Sequence, residues 1–372
     1  MILVNEPLLD GNEKKYLSNC IETGWISSDG PYVKEFEGKF AQFIGVKHAI
    51  AVCNGTVAIE LALAAIDLQP GDEVILPCHT IMSCPMGIIR RGGVPVLIDV
   101  DPLTWNLDVN QLKSKITSRT KAIMPVHIFG QSCDMDPIME IAAQYGLYVL
   151  EDAAEAHGAE YKGKKCGSIG HLATFSFYAN KIITTGEGGM VVTDDDKIAE
   201  AARYYRNLCF QPQQRFLHQD LGYNFRITNL QAAVGLAQVE RIDELLNIKI
   251  NQGQLYKSAL QDTPGIRLQK AEEWAKPVYW VFGLLLEDNV SIDAFAWAKM
   301  LLSKGVQTRP FFWPLHEQPI FQKMGLFKNE SYPIAEKIAR HGLYVPSGMA
   351  LKKEDQITVS EIVKQTLKEI AQ

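Results

Sequence analysis

Between residues 48 and 195 the chain alternates short β-rich runs with longer helical stretches, and this pattern constrains the fold more than any other feature of the sequence. The runs are "HAIAV", "DEVILP", "VPVLIDV", "KAIMPVHIF", "LYVLED", "ATFSFY" and "GMVVTDD". Runs that are apolar almost throughout suit strands buried on both faces, and strands separated by helices need crossover connections. The expected fold class is therefore α/β, a mostly parallel sheet with helices on both faces. Polar and ionisable residues gather where these runs stop: Asn54, His79, Asp99, His127, Asp152 and Lys181. In open sheets of this class, ligands sit beyond the carboxyl ends of the strands.

Residues 229 to 260 carry helical periodicity over a long span, with Val234, Ala237, Ile242, Leu245 and Leu246 on one side. This reads as one helix joining two domains. After it come "VYWVFGLLL", a helix at about 292 to 304, the strand-like "VQTRPFFW", and a final amphipathic helix with Val359, Ile362, Val363, Leu367 and Ile370 inward. The expected division is a large domain over residues 1–245, with an N-terminal arm, and a small α+β domain over 246–372.

Charge and cysteine content exclude several classes of function. Lys and Arg number 37 against 43 Asp and Glu, so no basic surplus is available to neutralise a nucleic-acid backbone. The apolar runs fall far short of the roughly 20 residues that cross a bilayer, and the start lacks the pattern of a secretory leader, so a cytoplasmic protein without membrane or nucleic-acid partners is expected. The seven cysteines are scattered and include no C-x-x-C, which suits buried free thiols in a reducing compartment. No histidine pair has H-x-x-x-H spacing, so no metal site is expected.

Three features carry chemistry. In "AVCNGTVAIELALAAI" a strand ends at Asn54 and a helix begins near Thr56, with Gly55 at the turn. Free amides and the positive end of the helix dipole favour an anion there, phosphate above all, and the Thr56 hydroxyl adds a donor; an ordinary capped helix would read the same way. "LYVLEDAAEAHG" ends a strand on Glu151 and Asp152, with Glu155 three residues on. "ATFSFYANKIITTGEGGM" sets Lys181 between a buried-type strand and glycines 186, 188 and 189. A lysine beside a glycine turn is commonly a solvated charge, but burial favours the neutral amine and makes it a nucleophile.

Taken together, the amine, the carboxylate and the phosphate cradle match the needs of pyridoxal 5'-phosphate. That cofactor requires a lysine for a Schiff base, a carboxylate facing its ring nitrogen and donors for its phosphate. Nicotinamide and ATP fit less well, because no G-x-G-x-x-G follows the first strand and no G-x-x-x-x-G-K-[ST] is present.

The strings "GWISSDGPYVKEFE", "NGTVAIELAL", "PGDEVILP", "VHIFGQSCDMDPI", "EDAAEAHGAEYKGKKCGSIG", "FSFYANKIITTGEGGM" and "LGYNFRITNLQAAVGLAQ" resemble the DegT/DnrJ/EryC1/StrS sugar aminotransferases, nearest to the perosamine-forming branch. The resemblance implies the fold of aspartate aminotransferase, fold type I among pyridoxal-phosphate enzymes, in a homodimer with shared active sites. It implies that Lys181 forms the Schiff base, that Asp152 faces the ring nitrogen and that Glu155 lies on the ring-hydroxyl side. Gly55, Thr56 and Ser176 would be phosphate ligands, with Asn224 reaching the phosphate of the other subunit. Trp25, Ser27, His127, His218, Arg309 and His316 lie in segments that resemble substrate-facing loops, and each also has a structural reading.

Two departures stand out. Ile81 occupies the place where many relatives carry an aromatic residue that stacks on the ring, a contact that Ile81 or His79 could replace, and Glu155 stands where many carry Gln. The retained Lys181 argues against the related dehydratases, which carry histidine there. The implied reaction moves the amino group of L-glutamate to a nucleotide-linked 4-keto-6-deoxyhexose, with GDP-4-keto-6-deoxymannose to GDP-perosamine first. A UDP- or dTDP-sugar aminotransferase, a deoxygenating enzyme on the same cofactor, and a non-catalytic cofactor-binding regulator are the alternatives.

Overall fold

The computed structural model describes residues 1–211 and 213–372. The first nine strands are β1 (His48–Val52), β2 (Glu73–Pro77), β3 (Val94–Ile98), β4 (Thr120–Ile123), β5 (Tyr148–Asp152), β6 (Glu160–Tyr161), β7 (Lys164–Lys165), β8 (Leu172–Ser176) and β9 (Gly189–Thr193). Seven of them form one sheet in the order β1-β9-β8-β5-β4-β2-β3. Pairing is parallel from β3 through β8, and β9 runs antiparallel to both of its neighbours, β1 and β8. Hence β1, β5 and β8 all point their carboxyl ends to the same edge.

Alternate residues of the central strands serve opposite faces, as the pleat requires. Val74, Leu76 and Leu150 join one buried cluster with Phe36, Phe40 and Leu61. Ile75, Ile123 and Val149 join another with Ile138, Ile141 and Ala142 of the helix Met135–Tyr145. A sheet covered on both sides explains why these runs are apolar throughout, and the α/β expectation holds.

The remaining strands are β10 (Ile266–Leu268), β11 (Ala275–Lys276), β12 (Phe282–Leu286), β13 (Arg309–Pro310) and β14 (Gly342–Val345). β10, β12, β14 and β13 form an antiparallel sheet, and β11 pairs with β6. Leu284 and Leu286 of β12 pack with Trp297, Leu301, Val359 and Val363 from the helices Ala294–Ser303 and Lys353–Ala371. Of the strand expected in "VQTRPFFW", only Arg309 and Pro310 pair.

The single helix expected over residues 229–260 is two helices, Asn229–Val239 and Ile242–Leu260. Arg241 leaves the helical region, with φ −113° and ψ 14°. Its guanidinium bonds Asp10 at 2.5 Å and Glu244 at 2.7 Å, while Glu240 accepts the Tyr16 hydroxyl at 2.9 Å. The N-terminal arm thus docks at the break. Six of the cysteines are buried and Cys53 is half-buried, all as free thiols. No helix among the described residues is long and apolar enough to cross a membrane.

Candidate active site

The sheet edge where β1, β5 and β8 end opens into a cavity of about 630 Å³. At the end of β1, Asn54 adopts an extended backbone and its side chain accepts the Val57 amide at 3.0 Å, capping the helix Gly55–Ala65. The first bond of that helix runs from the Ala58 amide to the Asn54 carbonyl, so the Gly55 and Thr56 amides precede it. A Cβ on Gly55 would stand 2.8 Å from the Ser176 Cβ, so only glycine lets the helix start approach the end of β8 this closely. The Thr56 hydroxyl lies 2.8 Å from that of Ser83. A helix N-terminus flanked by the hydroxyls of Thr56, Ser83 and Ser176 is suited to an anion.

Beyond β8 the chain turns back on itself. The Lys181 amide donates to the Tyr178 carbonyl at 2.9 Å, the Phe177 amide to Gly188 at 2.8 Å, and Gly186 takes φ +80°, which favours glycine. The turn carries the Lys181 side chain into the cavity, where Nζ lies 3.8 Å from the centroid of the Trp280 ring and 3.9 Å from Glu155 Oε1. Burial pushes the Lys181 amine below the usual lysine range, against the opposing pull of Glu155 and Asp152. The same burial pushes Glu155 up to about 7, against Lys181 and the Phe129 amide that donates to Oε2 at 2.8 Å. Both shifts favour the neutral forms, so desolvation outweighs mutual attraction in this pair.

Asp152 ends β5 with its carboxylate buried. The Cys84 thiol donates to Oδ2 at 3.0 Å and the Ala154 amide to Oδ1 at 3.1 Å. Beside Lys181, the Asn180 carbonyl accepts the Trp280 indole N–H at 2.7 Å, whereas the buried Asn180 Oδ1 has no partner. An unpaired buried acceptor in a cavity wall is a place for a ligand donor.

Gly55, Thr56, Asp152, Glu155, Ser176 and Lys181 all line this one cavity, and so does Ile81. The other candidates stand elsewhere. His127 is fully buried, with Nε2 2.8 Å from Glu151 and Nδ1 accepting the Cys133 amide at 3.0 Å, so it braces β5 from within. His316 is likewise buried, between Cys78 Sγ at 3.2 Å and Glu336 at 3.1 Å. With Glu317 and Glu336 it forms the one metal-like grouping among the described residues, but Arg340 already bonds Glu317 at 2.7 Å. His79 is buried against Phe129, Phe311 and Phe312, outside the cavity lining. Trp25, Ser27, His218 and Asn224 are exposed and do not line the cavity, and Arg309 is exposed on β13 opposite Tyr344.

Sequence reasoning missed Trp280, Phe312 and Tyr344, which close the cavity from the C-terminal third of the chain, together with Arg90 and Asn180. It also missed Cys84. Apart from Asn180, which adjoins Lys181, no motif marks these residues. An apolar residue in a distant segment reads as core until the fold sets it against the site.

Lys181, Asp152 and Glu155 thus meet at and beyond the strand ends of a two-sided sheet, beside the glycine-led start of the helix Gly55–Ala65. The crystal structure of DesV from S. venezuelae matches the chain with a TM-score of 0.89 and 32% identity, over 96% of this chain and 94% of that one. The chain belongs to the DegT/DnrJ/EryC1/StrS aminotransferase family, whose model matches residues 7–364. It is 45% identical to the GDP-perosamine synthase of Caulobacter vibrioides over 98% of both chains. The GDP-perosamine synthase of Vibrio cholerae is 38% identical over 96% of both chains.

Proposed function

We propose that the protein uses pyridoxal 5'-phosphate to move the amino group of L-glutamate to the keto carbon of a nucleotide-linked 4-keto-6-deoxyhexose. GDP-4-keto-6-deoxymannose, giving GDP-perosamine, is the first substrate to test, on the strength of the perosamine synthases among the relatives. The observation that carries the reading is the meeting of Lys181, Asp152 and Glu155 in one cavity with the Gly55 helix start. The residues fit the cofactor. Gly55 leaves room that a Cβ would fill, Thr56 and Ser176 offer hydroxyls, Asp152 offers a carboxylate and Asn180 an unpaired acceptor.

In this reading Gly55, Thr56 and Ser176 hold the phosphate, Asp152 faces the ring nitrogen, Glu155 faces the ring hydroxyl, and Lys181 is the attachment point. Ile81 takes the place of an aromatic ring against the cofactor face. Bound there, the cofactor supplies a carbonyl that condenses with amines and a ring that accepts an electron pair from the substrate carbon. Burial keeps the Lys181 amine competent to accept a proton, and Nζ is the base that takes the proton from the donor carbon and returns it to the acceptor. Glu155, poised near 7, balances that charge without holding Lys181 as a permanent ammonium. The Trp280 ring shields one side of the amine from water.

We take the protein to work as a homodimer. Asn224 is exposed and does not line its own cavity, and Trp25, Phe216, Leu217 and Leu221 expose apolar side chains, Leu221 at 93%. Apolar exposure of this kind suits a subunit contact, which would let Asn224 serve the neighbouring site. Borohydride reduction of the cofactor-loaded protein, followed by peptide mapping, is expected to label Lys181. A label elsewhere overturns the site. ¹⁵N-glutamate offered with GDP-, UDP- and dTDP-linked keto sugars is expected to transfer its label to the GDP sugar, and transfer to another nucleotide alone overturns the substrate.

A further inference from the structure

The carboxylate at the end of β5 is held by a side chain that no sequence motif marks. Cys84 lies in the first turn of the helix Ser83–Arg90, and its sulfur is fully buried, 3.0 Å from Asp152 Oδ2. The other oxygen of Asp152 takes the Ala154 amide. Thr80 Oγ1 lies 3.7 Å from the same sulfur, and because the thiol proton faces Asp152, the Thr80 hydroxyl is the donor in that contact. The three side chains form a line, Thr80 to Cys84 to Asp152. Thr80 and Asp152 are cavity-lining and Cys84 sits behind them.

We infer that Cys84 is a positioning residue for Asp152, a neutral donor that fixes the rotation of the carboxylate while leaving its charge in place. This rests on the proposed role of Asp152 toward the cofactor ring. Burial, then the charge of Asp152, push the thiol well above its usual range, so it remains a donor and does not compete as a second anion. A thiol is a weak hydrogen-bond donor compared with a hydroxyl. It therefore restricts geometry yet draws little electron density from the carboxylate. Serine at the same position would orient the carboxylate but hydrogen-bond it more strongly, making it a weaker base. Alanine would leave Oδ2 without that donor, making the carboxylate more basic but free to rotate.

The contact and the role are tested separately. In the cofactor-free protein, the infrared difference between wild type and Cys84→Ala isolates one S–H stretching band. The band is expected to lie at low frequency, as for a hydrogen-bonded thiol, and to rise in Asp152→Asn, whose acceptor is uncharged. A band that does not respond to Asp152→Asn overturns the contact. In the pyridoxal-phosphate-loaded protein, the pH midpoint of the absorbance change is expected to move in opposite directions in Cys84→Ser and Cys84→Ala. Cys84→Ala is expected to slow the glutamate half-reaction on the order of tenfold, the size of effect that follows from losing one buried hydrogen bond. Cofactor binding with midpoints unmoved, or moved the same way in both variants, overturns the positioning role and leaves the aminotransferase reading standing. Failure of the wild-type protein to take up the cofactor overturns both, while the infrared result still decides the contact.

Discussion

Lys181 Nζ and Glu155 Oε1 stand 3.9 Å apart in a site where burial drives the amine and the carboxyl alike toward their neutral forms. Each charge is tolerated only because the other is near, so removing one should move the titration of its partner. Glu155→Gln removes the main support for the Lys181 ammonium, and the amine is expected to become neutral, and so reactive, at lower pH than in wild type. Reductive labelling of Lys181 by an aldehyde, followed across pH in the cofactor-free protein, reads this directly. An unmoved midpoint would mean that the two groups are insulated from each other.

Two buried histidines set an acid limit on stability. Burial pushes His79 down to about 4 and His157 down to about 3, among Phe129, Phe311 and Phe312 for the first and Phe40, Phe175 and Phe177 for the second. Both folded values lie below the 6.5 of an exposed ring, so between those values the unfolded chain binds more protons than the folded one. The stability these two histidines supply therefore falls as pH drops below 6.5, and the loss from His79 is complete near pH 4, at roughly 3 kcal/mol. Glu155 works the other way. Its folded value of about 7 lies above 4.5, so its stabilisation is lost as pH rises from 4.5 through 7. The urea midpoint of His79→Phe, measured at pH 7.5 and pH 4.5, should fall less between the two than that of wild type. An equal fall would show that His79 does not carry the acid limb.

The cradle at the end of β1 is sensitive to a single methyl group. In Gly55→Ala the new Cβ would meet the Ser176 Cβ at 2.8 Å, backed by the rigid end of β8, so the helix start must retreat. Pyridoxal phosphate is expected to bind on the order of tenfold more weakly, with thermal stability changed far less. Equilibrium dialysis measures the first and calorimetry the second. Unchanged affinity would place the phosphate elsewhere.

The parts of the fold legible in the sequence were those where one local period decided the outcome. β1, β2, β5 and β8 each read as buried runs because the sheet is covered on both faces, and Lys181 and Asp152 were visible as ionisable residues at their ends. The break at Arg241 was not legible, since one partner it takes there, the arm residue Asp10, lies 231 positions away. His127 and His316 stood open between a substrate-facing and a structural reading for a related reason. A histidine that satisfies both nitrogens inside the core has the same local sequence as one that faces a substrate, and only the partners Glu151, Cys133, Cys78 and Glu336 tell them apart. Cys84 was hidden because a buried cysteine is commonly plain packing, and its carboxylate partner lies 68 residues on.

The proposed sharing of sites between subunits can be tested by mixing. If Asn224 completes the neighbouring cavity, a heterodimer of Lys181→Ala and Asn224→Ala chains holds one site with both defects and one with neither. Activity is expected to return on mixing two inactive proteins, to about a quarter of wild type for random pairing with half of each heterodimer working. No recovery, with exchange verified by mass spectrometry, would mean that each chain completes its own site.

Asp152 is where charge and shape can be separated. Its carboxylate is buried, fixed by Cys84 and Ala154 on its two oxygens, and it shares the cavity with Lys181. If it acts by its charge, Asp152→Asn should keep the shape and much of the cofactor binding yet slow proton removal from glutamate by orders of magnitude, because the amide cannot hold a proton on the ring nitrogen. Asp152→Glu keeps the charge and misplaces it, so it should fall between the two. The order Asp, Glu, Asn follows from electrostatics, whereas packing alone gives Asp, Asn, Glu, since Asn is the closer match in size. The half-reaction with glutamate, followed by absorbance in single turnover, measures the order without any knowledge of the sugar. An Asn variant as fast as wild type would reduce Asp152 to a polar strand end.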